Sequence, residues 1–174
     1  MTVSASTDAV VSVRPAVRAD LLEIFRIERR VFPQPWPLPA FERHVGEPGF
    51  LVAVDEGAVG APGGDGVVSG GVVGYVVADC IPNHGQPLGH VKDLAVRPDY
   101  QGRGIGSTLL DRALTALAAQ DVASVKLEVR RSNEPAISLY RRFGFQWLKT
   151  VPGYYADGED AYVLVRELAD RQGF

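Results

Sequence analysis

Val96-Arg97-Pro98-Asp99-Tyr100-Gln101-Gly102-Arg103-Gly104-Ile105-Gly106-Ser107 is the stretch on which the reading of this chain turns. It follows an apolar, strand-like run from His90 to Val96 and opens an amphipathic helix. A glycine-rich turn at a helix start leaves several backbone N–H groups without helical partners. Together with the helix dipole they form a seat for phosphate oxygens. Glycine tolerates unusual backbone angles and lets a ligand come close. The stretch reads as a pyrophosphate site; the alternative is a strand-to-helix turn that binds nothing.

The spacing narrows the ligand. A nucleotide-triphosphate loop needs Gly-Lys-Ser/Thr, whereas Gly106 is followed by Ser107 and Thr108. A dinucleotide fingerprint needs a third glycine where Ser107 stands, and no βαβ unit leads into the turn. What remains is Gln101-x-x-Gly104-x-Gly106.

The 174 residues suffice for one domain with a substantial core. Composition is that of a globular protein, and a formal net charge of −3 gives no reason to expect nucleic-acid binding. The single cysteine, Cys80, excludes an intrachain disulfide and fits a reducing, cytoplasmic setting. No apolar run approaches the roughly 20 residues of a membrane span, so no membrane partner is expected. No Cys/His/Asp cluster has metal-ligand spacing, and no metal is expected.

Residues 1–9 read as a tail, 10–168 as the domain and 169–174 as a second tail. Val10 to Val13 reads as a first strand. Asp20 reads as a helix cap with Glu23 as its capping-box partner. Leu21, Ile24, Phe25 and Ile27 supply the apolar stripe, and Glu28-Arg29-Arg30 a solvated end. Four prolines between Phe32 and Pro39 forbid a continuous helix and predict a stiff loop, followed by a short helix over Ala40 to Val45. Phe50 to Val54 and Val67 to Ala78 read as strands joined by a long glycine-rich connection, Glu56 to Gly66. A turn-rich link, Cys80 to Gly89, precedes the strand His90 to Val96. The helix after the glycine turn buries Ile105, Leu109, Leu110, Ala113, Leu114 and Leu117. A strand at Val125–Val129, a helix from Asn133 to Phe143 ended by Gly144, and strands at Gln146–Val151 and Ala161–Val165 complete the chain. The order β-α-α-β-β-β-α-β-α-β-β predicts an α/β fold, one mixed sheet with helices on both faces.

Four blocks then carry a resemblance. The Gln101-x-x-Gly104-x-Gly106 turn is similar to the acetyl-CoA signature of the GCN5-related N-acetyltransferase superfamily. Leu127-Glu128-Val129-Arg130-Arg131-Ser132-Asn133, continuing to Tyr140 and closing with Gly144-Phe145, resembles the RimI-type stretch L-E-V-R-x-S-N-x-x-A-I-x-L-Y. Tyr154-Tyr155-Ala156-Asp157-Gly158-Glu159-Asp160-Ala161-Tyr162 resembles the C-terminal block of archaeal and eukaryotic NatA-type catalytic subunits, and Gly89 to Val96 their strand before the coenzyme loop. The match spans roughly Val10 to Glu167.

The resemblance implies a centrally splayed sheet and acetyl-CoA as cosubstrate. Leu94 and Val96 would hold the pantetheine arm through their backbone. Amides from Gln101, Gly102, Arg103, Gly104, Ile105, Gly106 and Ser107 would hold the pyrophosphate, and Asn133 would touch the cofactor near the splay. It implies direct transfer to the N-terminal α-amine of a protein or peptide, a ribosomal protein among the candidates. Glu128 matches the general base, Tyr140 the donor to the departing thiolate, and His90 a position that assists deprotonation in some relatives. Phe32 and Trp36 on one side, and Tyr154 and Tyr155 on the other, would wall the acceptor site. A strand-end glutamate in a desolvated cleft is expected to have a raised pKa. The loop from Val31 to Ala40 lacks an acid, which points to a neutral first residue. Read from the residues alone, Glu128 is equally a surface carboxylate paired with Lys126 or Arg130, Tyr140 a packing residue and His90 a structural histidine. Transfer to a lysine or a small-molecule amine, and a silent acyl-CoA-binding module, are the alternative functions.

Overall fold

The computed structural model describes residues 10–57 and 71–168. Both tails and most of the Glu56–Gly66 connection lie outside the described residues. The strands are β1 (Val11–Pro15), β2 (Gly49–Asp55), β3 (Val72–Ile81), β4 (Leu88–Val96), β5 (Ser124–Arg130), β6 (Gln146–Val151) and β7 (Ala161–Glu167). The helices are α1 (Leu21–Val31), α2 (Leu38–Glu42), α3 (Ile105–Ala118) and α4 (Glu134–Arg142). The strands form one sheet in the order β1-β2-β3-β4-β5-β7-β6. Among the described residues only β4 and β5 run parallel; every other pair is antiparallel. A parallel pair needs a crossover, and α3 supplies it.

Two cores sandwich the sheet. Under α3 and α4 lie Val73, Val76, Val91, Val125, Leu127 and Val129, against Leu109, Leu110, Leu117 and Ile137. All six residues of the expected α3 stripe are buried. Under α1 and α2 lie Phe50, Val52, Tyr75, Val77 and Ala95, against Ile24, Ile27 and Phe41. No helix among the described residues is long and apolar enough to cross a membrane.

Several local expectations are corrected. Asp20 does not cap α1 through its side chain. Its carboxylate accepts from the Val17 N–H at 2.9 Å and forms a two-pronged pair with Arg14, while Glu23 pairs with Arg26. The short helix begins at Leu38 rather than Ala40, because Pro39 is tolerated in a first turn, where no helical N–H bond is required. Cys80 belongs to β3, not to a turn, and its thiol meets Gln120 at 3.2 Å. Glu28 is not at a solvated end but 1% exposed.

Two irregularities of the sheet create its functional face. In the β3–β4 ladder Val77 faces Asp93 and Ala78 faces Val91, so Lys92 is an extra residue bulged out of β4. The bulge puts His90 and Asp93, an odd number apart, on one face of the sheet. That face also carries Tyr75 and Ala95 and looks toward α1 and α2. The parallel pairing of β4 with β5 runs only over Leu88–His90 and Ser124–Lys126. Beyond it the strands part.

Gly89 closes that short zipper opposite Val125. A Cβ there would meet Val125 Cγ2 at 2.9 Å and Leu117 Cδ1 at 3.1 Å. Gly89→Ala is expected to destabilise the fold by about 1–3 kcal/mol through overpacking, measured by denaturant unfolding.

Candidate active site

Where β4 and β5 part, three cavities lie in series. The first, a cleft of about 340 Å³, is lined by Leu94, Ala95 and Val96 of β4, the Gln101–Ser107 turn, and Asn133, Ala136, Leu139 and Tyr140. A small cavity of about 140 Å³ follows, with Glu28, Phe32, Asp93, Glu128, Tyr140 and Tyr155 in its wall. An outer groove of about 740 Å³ opens to solvent past Trp36, His44, His90, Glu128, Tyr154 and Tyr155. Tyr140 borders the first two and Glu128 the last two.

The turn at the mouth of the cleft owes its shape to glycine. Gly102 and Gly104 have φ of +78° and +80°, and Gly104 is the cap residue of α3. No acidic residue occupies the first turn of α3, so its amides meet an anion without like charge. Gln101 and Arg103 do not reach outward. The Gln101 amide donates to the Val96 carbonyl at 3.0 Å, and Arg103 donates to the Asp99 carbonyl and lies over the Tyr100 ring. Both hold the turn in place. Asn133 caps α4, its side-chain carbonyl accepting from the Ala136 N–H, and lines both the cleft and the small cavity.

Glu128 faces away from Leu127 and Val129, as strand alternation requires. One carboxylate oxygen lies 2.6 Å from His90 Nε2 and the other 3.2 Å from Lys126 Nζ. Its pKa is lowered, contrary to the expectation of a raised one. Burial is the largest single influence and pushes upward, but the hydrogen bond from His90, its charge and the nearby Lys126 together outweigh it. An ionised carboxylate only accepts, so His90 Nε2 carries the proton in this pair.

Tyr140 is 8% exposed and packs edge-on against Phe145. Burial first, then the nearby Asp93 and Tyr155, push its hydroxyl well above the ordinary range. It remains a proton carrier at any neutral pH. Tyr155 is half-buried with the Arg130 guanidinium 4.0 Å over its ring, and its pKa is pushed up to about 12, by burial first and then by Tyr154. Tyr154 meets Tyr155 edge-on and stays half-exposed, at the outer groove only. Arg130 also pairs with Asp157 and Glu159, which fixes the loop between β6 and β7. Gln34, from the proline-rich loop, accepts from Arg130 and from the Ala156 N–H, both at 3.3 Å, and so ties the two loops together across the cavity.

The residues expected as base, thiolate donor and assisting histidine thus converge, together with Phe32, Trp36 and Tyr155. The sequence reading missed Glu28, Tyr75 and Asp93, which are joined by hydrogen bonds beside the same cavity. Glu28 is within reach of periodicity: it lies four residues after Ile24 and seven after Leu21, on the buried face of α1. Nothing in the sequence announces the Lys92 bulge that turns Asp93 toward it.

A profile of the acetyltransferase (GNAT) family matches residues 21–145. The chain belongs to that family. This GNAT protein is 34% identical over 169 residues to an N-alpha-acetyltransferase of Saccharolobus solfataricus, covering 90% of this chain and 93% of the relative. It is 36% identical over 163 residues to the N-alpha-acetyltransferase RimI of Mycobacterium tuberculosis, covering 92% and 94%. The crystal structure of the ribosomal-protein-S18-alanine N-acetyltransferase from Escherichia coli superposes with a TM-score of 0.72 at 26% identity, covering 95% of this chain and 99% of that one.

A Cβ on Gly104 would meet nothing within 4 Å, so only its left-handed backbone resists substitution. Gly104→Ala in this GNAT protein is expected to cost about 1–2 kcal/mol of stability and to weaken CoA binding, read by denaturation and calorimetry.

Proposed function

We propose that this protein transfers the acetyl group of acetyl-CoA directly to the N-terminal α-amine of a protein or peptide, a ribosomal protein among the acceptors. The observation that carries the reading is the serial arrangement of cleft, cavity and groove, with Tyr140 at one junction and Glu128 at the other. The coenzyme enters from the glycine turn, the peptide from the outer groove, and the two reacting atoms meet in a space too small for more than a chain end. The names of the relatives support the same chemistry.

The amides of Gly102, Gly104, Ile105, Gly106 and Ser107 bind the pyrophosphate. The unpaired edge of β4 at Leu94 and Val96 receives the pantetheine arm, and Asn133 lies beside it. Phe32, Trp36, Tyr154 and Tyr155 hold the first residues of the peptide. A neutral first residue fits this wall better than an acidic one, because Glu28 and Asp93 stand beside the apolar Phe32.

An α-amine has a pKa of about 8 and arrives largely protonated. Glu128, ionised and half-desolvated, takes one proton, directly or through a water. His90, donating to the other side of the carboxylate, positions Glu128. The freed nitrogen attacks the thioester carbon; the C–N bond forms as the C–S bond breaks. Tyr140 donates a hydrogen bond to the departing sulfur. Because burial raises its pKa above that of a thiol, it steadies the thiolate without surrendering its proton. The nitrogen's second proton leaves to water as the amide forms, Glu128 returns its own proton to solvent, and the thiolate is protonated from solvent.

Incubation with acetyl-CoA and a Ser-initiated peptide containing an internal lysine, read by fragment mass spectrometry, is expected to place the acetyl group on the α-amine; acetyl on the lysine alone would refute the reading. Glu128→Gln is expected to lower kcat by about 10²-fold or more at pH 7, with CoA affinity retained. The deficit shrinks toward pH 10, where the amine is already neutral, whereas the approximately tenfold loss in Tyr140→Phe does not.

A further inference from the structure

Glu28 and Asp93 are two carboxyls with no cation between them, in the wall of the cavity where the acceptor nitrogen must sit. Glu28 comes from α1 and Asp93 from β4 just past the bulge. One Glu28 oxygen accepts from the Trp36 N–H at 2.7 Å, and the other from the Tyr75 hydroxyl. The same hydroxyl lies 3.0 Å from Asp93 Oδ2. The Tyr75 hydroxyl thus bridges the two carboxyls, and its single hydrogen serves only one of them at a time. Burial, first of all, and then the Glu28 carboxylate beside it push Asp93 well above the carboxylate range, so Asp93 keeps its proton.

Resting on the acetyltransferase reading, we propose that the Glu28–Asp93 pair, carrying one negative charge, is the receptor for the acceptor's α-ammonium and orients it before Glu128 deprotonates it. The other charged groups facing the cavity are already matched. Lys92 reaches Asp79 at 3.0 Å, Arg130 pairs with Asp157 and Glu159, and Glu128 is flanked by His90 and Lys126. Tyr75, Tyr140 and Tyr155 are neutral. The pair is thus the unbalanced anion in the wall, and an ammonium is the group that balances it. Carboxyl oxygens have two acceptor sites each, which leaves capacity for ammonium N–H donors. The proton kept on Asp93 also moderates the charge. Two full charges would hold the amine too firmly protonated for a single carboxylate to compete.

The two carboxyls contribute unequally. In Asp93→Asn the Glu28 carboxylate remains, whereas Glu28→Gln leaves only Asp93, which burial still holds protonated. Asp93→Asn is expected to raise the peptide KM by about two- to threefold and Glu28→Gln by about thirtyfold or more, as loss of a charged hydrogen bond implies. A purely structural network would weaken CoA binding in parallel with the peptide KM. CoA affinity, measured by calorimetry in each variant, is expected to stay within about threefold and reports a folded protein.

A second measurement needs no variant. CoA-bound wild-type protein is titrated with an Ala-initiated peptide and with the same peptide begun by a propanoyl group, which lacks only the amine. The amine peptide is expected to bind about tenfold tighter at pH 7, with the advantage fading by pH 10 as the ammonium is lost. Equal affinity of the two peptides at pH 7, in a protein that still acetylates the first, would overturn the ammonium receptor while leaving the transferase intact. Failure to acetylate any α-amine would remove the transferase itself.

Discussion

Two neighbouring strands that run parallel but zip together over only three residues each set the terms for the whole molecule. Had β4 and β5 paired along their full lengths, the backbone edge at Leu94–Val96 would be used up in the sheet and there would be no cleft. Because they part, that edge is left for another extended chain to complete. The buried stripe of α3 clamps the crossover to β2, β3 and β4, so the strand ends and the glycine turn keep a constant relation. Catalytic geometry of this kind tolerates little play, and here it rests on sheet and helix rather than on a free loop.

Carboxylates on one face of the sheet are handled in three different ways. Glu128 is kept ionised by His90 and Lys126. Glu28 is buried yet supplied with donors from Trp36 and Tyr75. Asp93, deprived of a cation, retains its proton. The wall of a single cavity thus holds an ionised carboxylate, a carboxyl that does not dissociate and a tyrosine hydroxyl that burial keeps protonated. The arginine hub at Arg130 serves the opposite purpose: exposed acids and an aromatic ring gather around one guanidinium and immobilise the loop that roofs the pocket.

The legible and the illegible residues divide by the range of the interactions that place them. The α3 stripe, the alternation of β5 and the outward face of Glu128 follow from helical and strand periods, and the structure has them as those periods predict. The charge state of Glu128 does not follow, because its partner His90 lies 38 residues away and the fold brings them together. Glu28 groups with Arg29 and Arg30 by charge, although its spacing from Leu21 and Ile24 places it inside. Strict alternation would set His90 and Asp93 on opposite faces; the Lys92 bulge reverses this, and a bulge leaves no trace in residue type alone.

By itself the chain order determined a mixed α/β fold, a glycine turn at the start of a helix and the strand alternation that faces Glu128 away from Leu127 and Val129, because these depend on local periodicity and on backbone angles that only glycine adopts freely. Tertiary structure alone decided where the two strands separate, which carboxyls keep their protons and how Gln34 and Arg130 close the pocket. Those outcomes arise from burial and from contacts between segments distant along the chain, and desolvation is a property of the folded surroundings rather than of any residue.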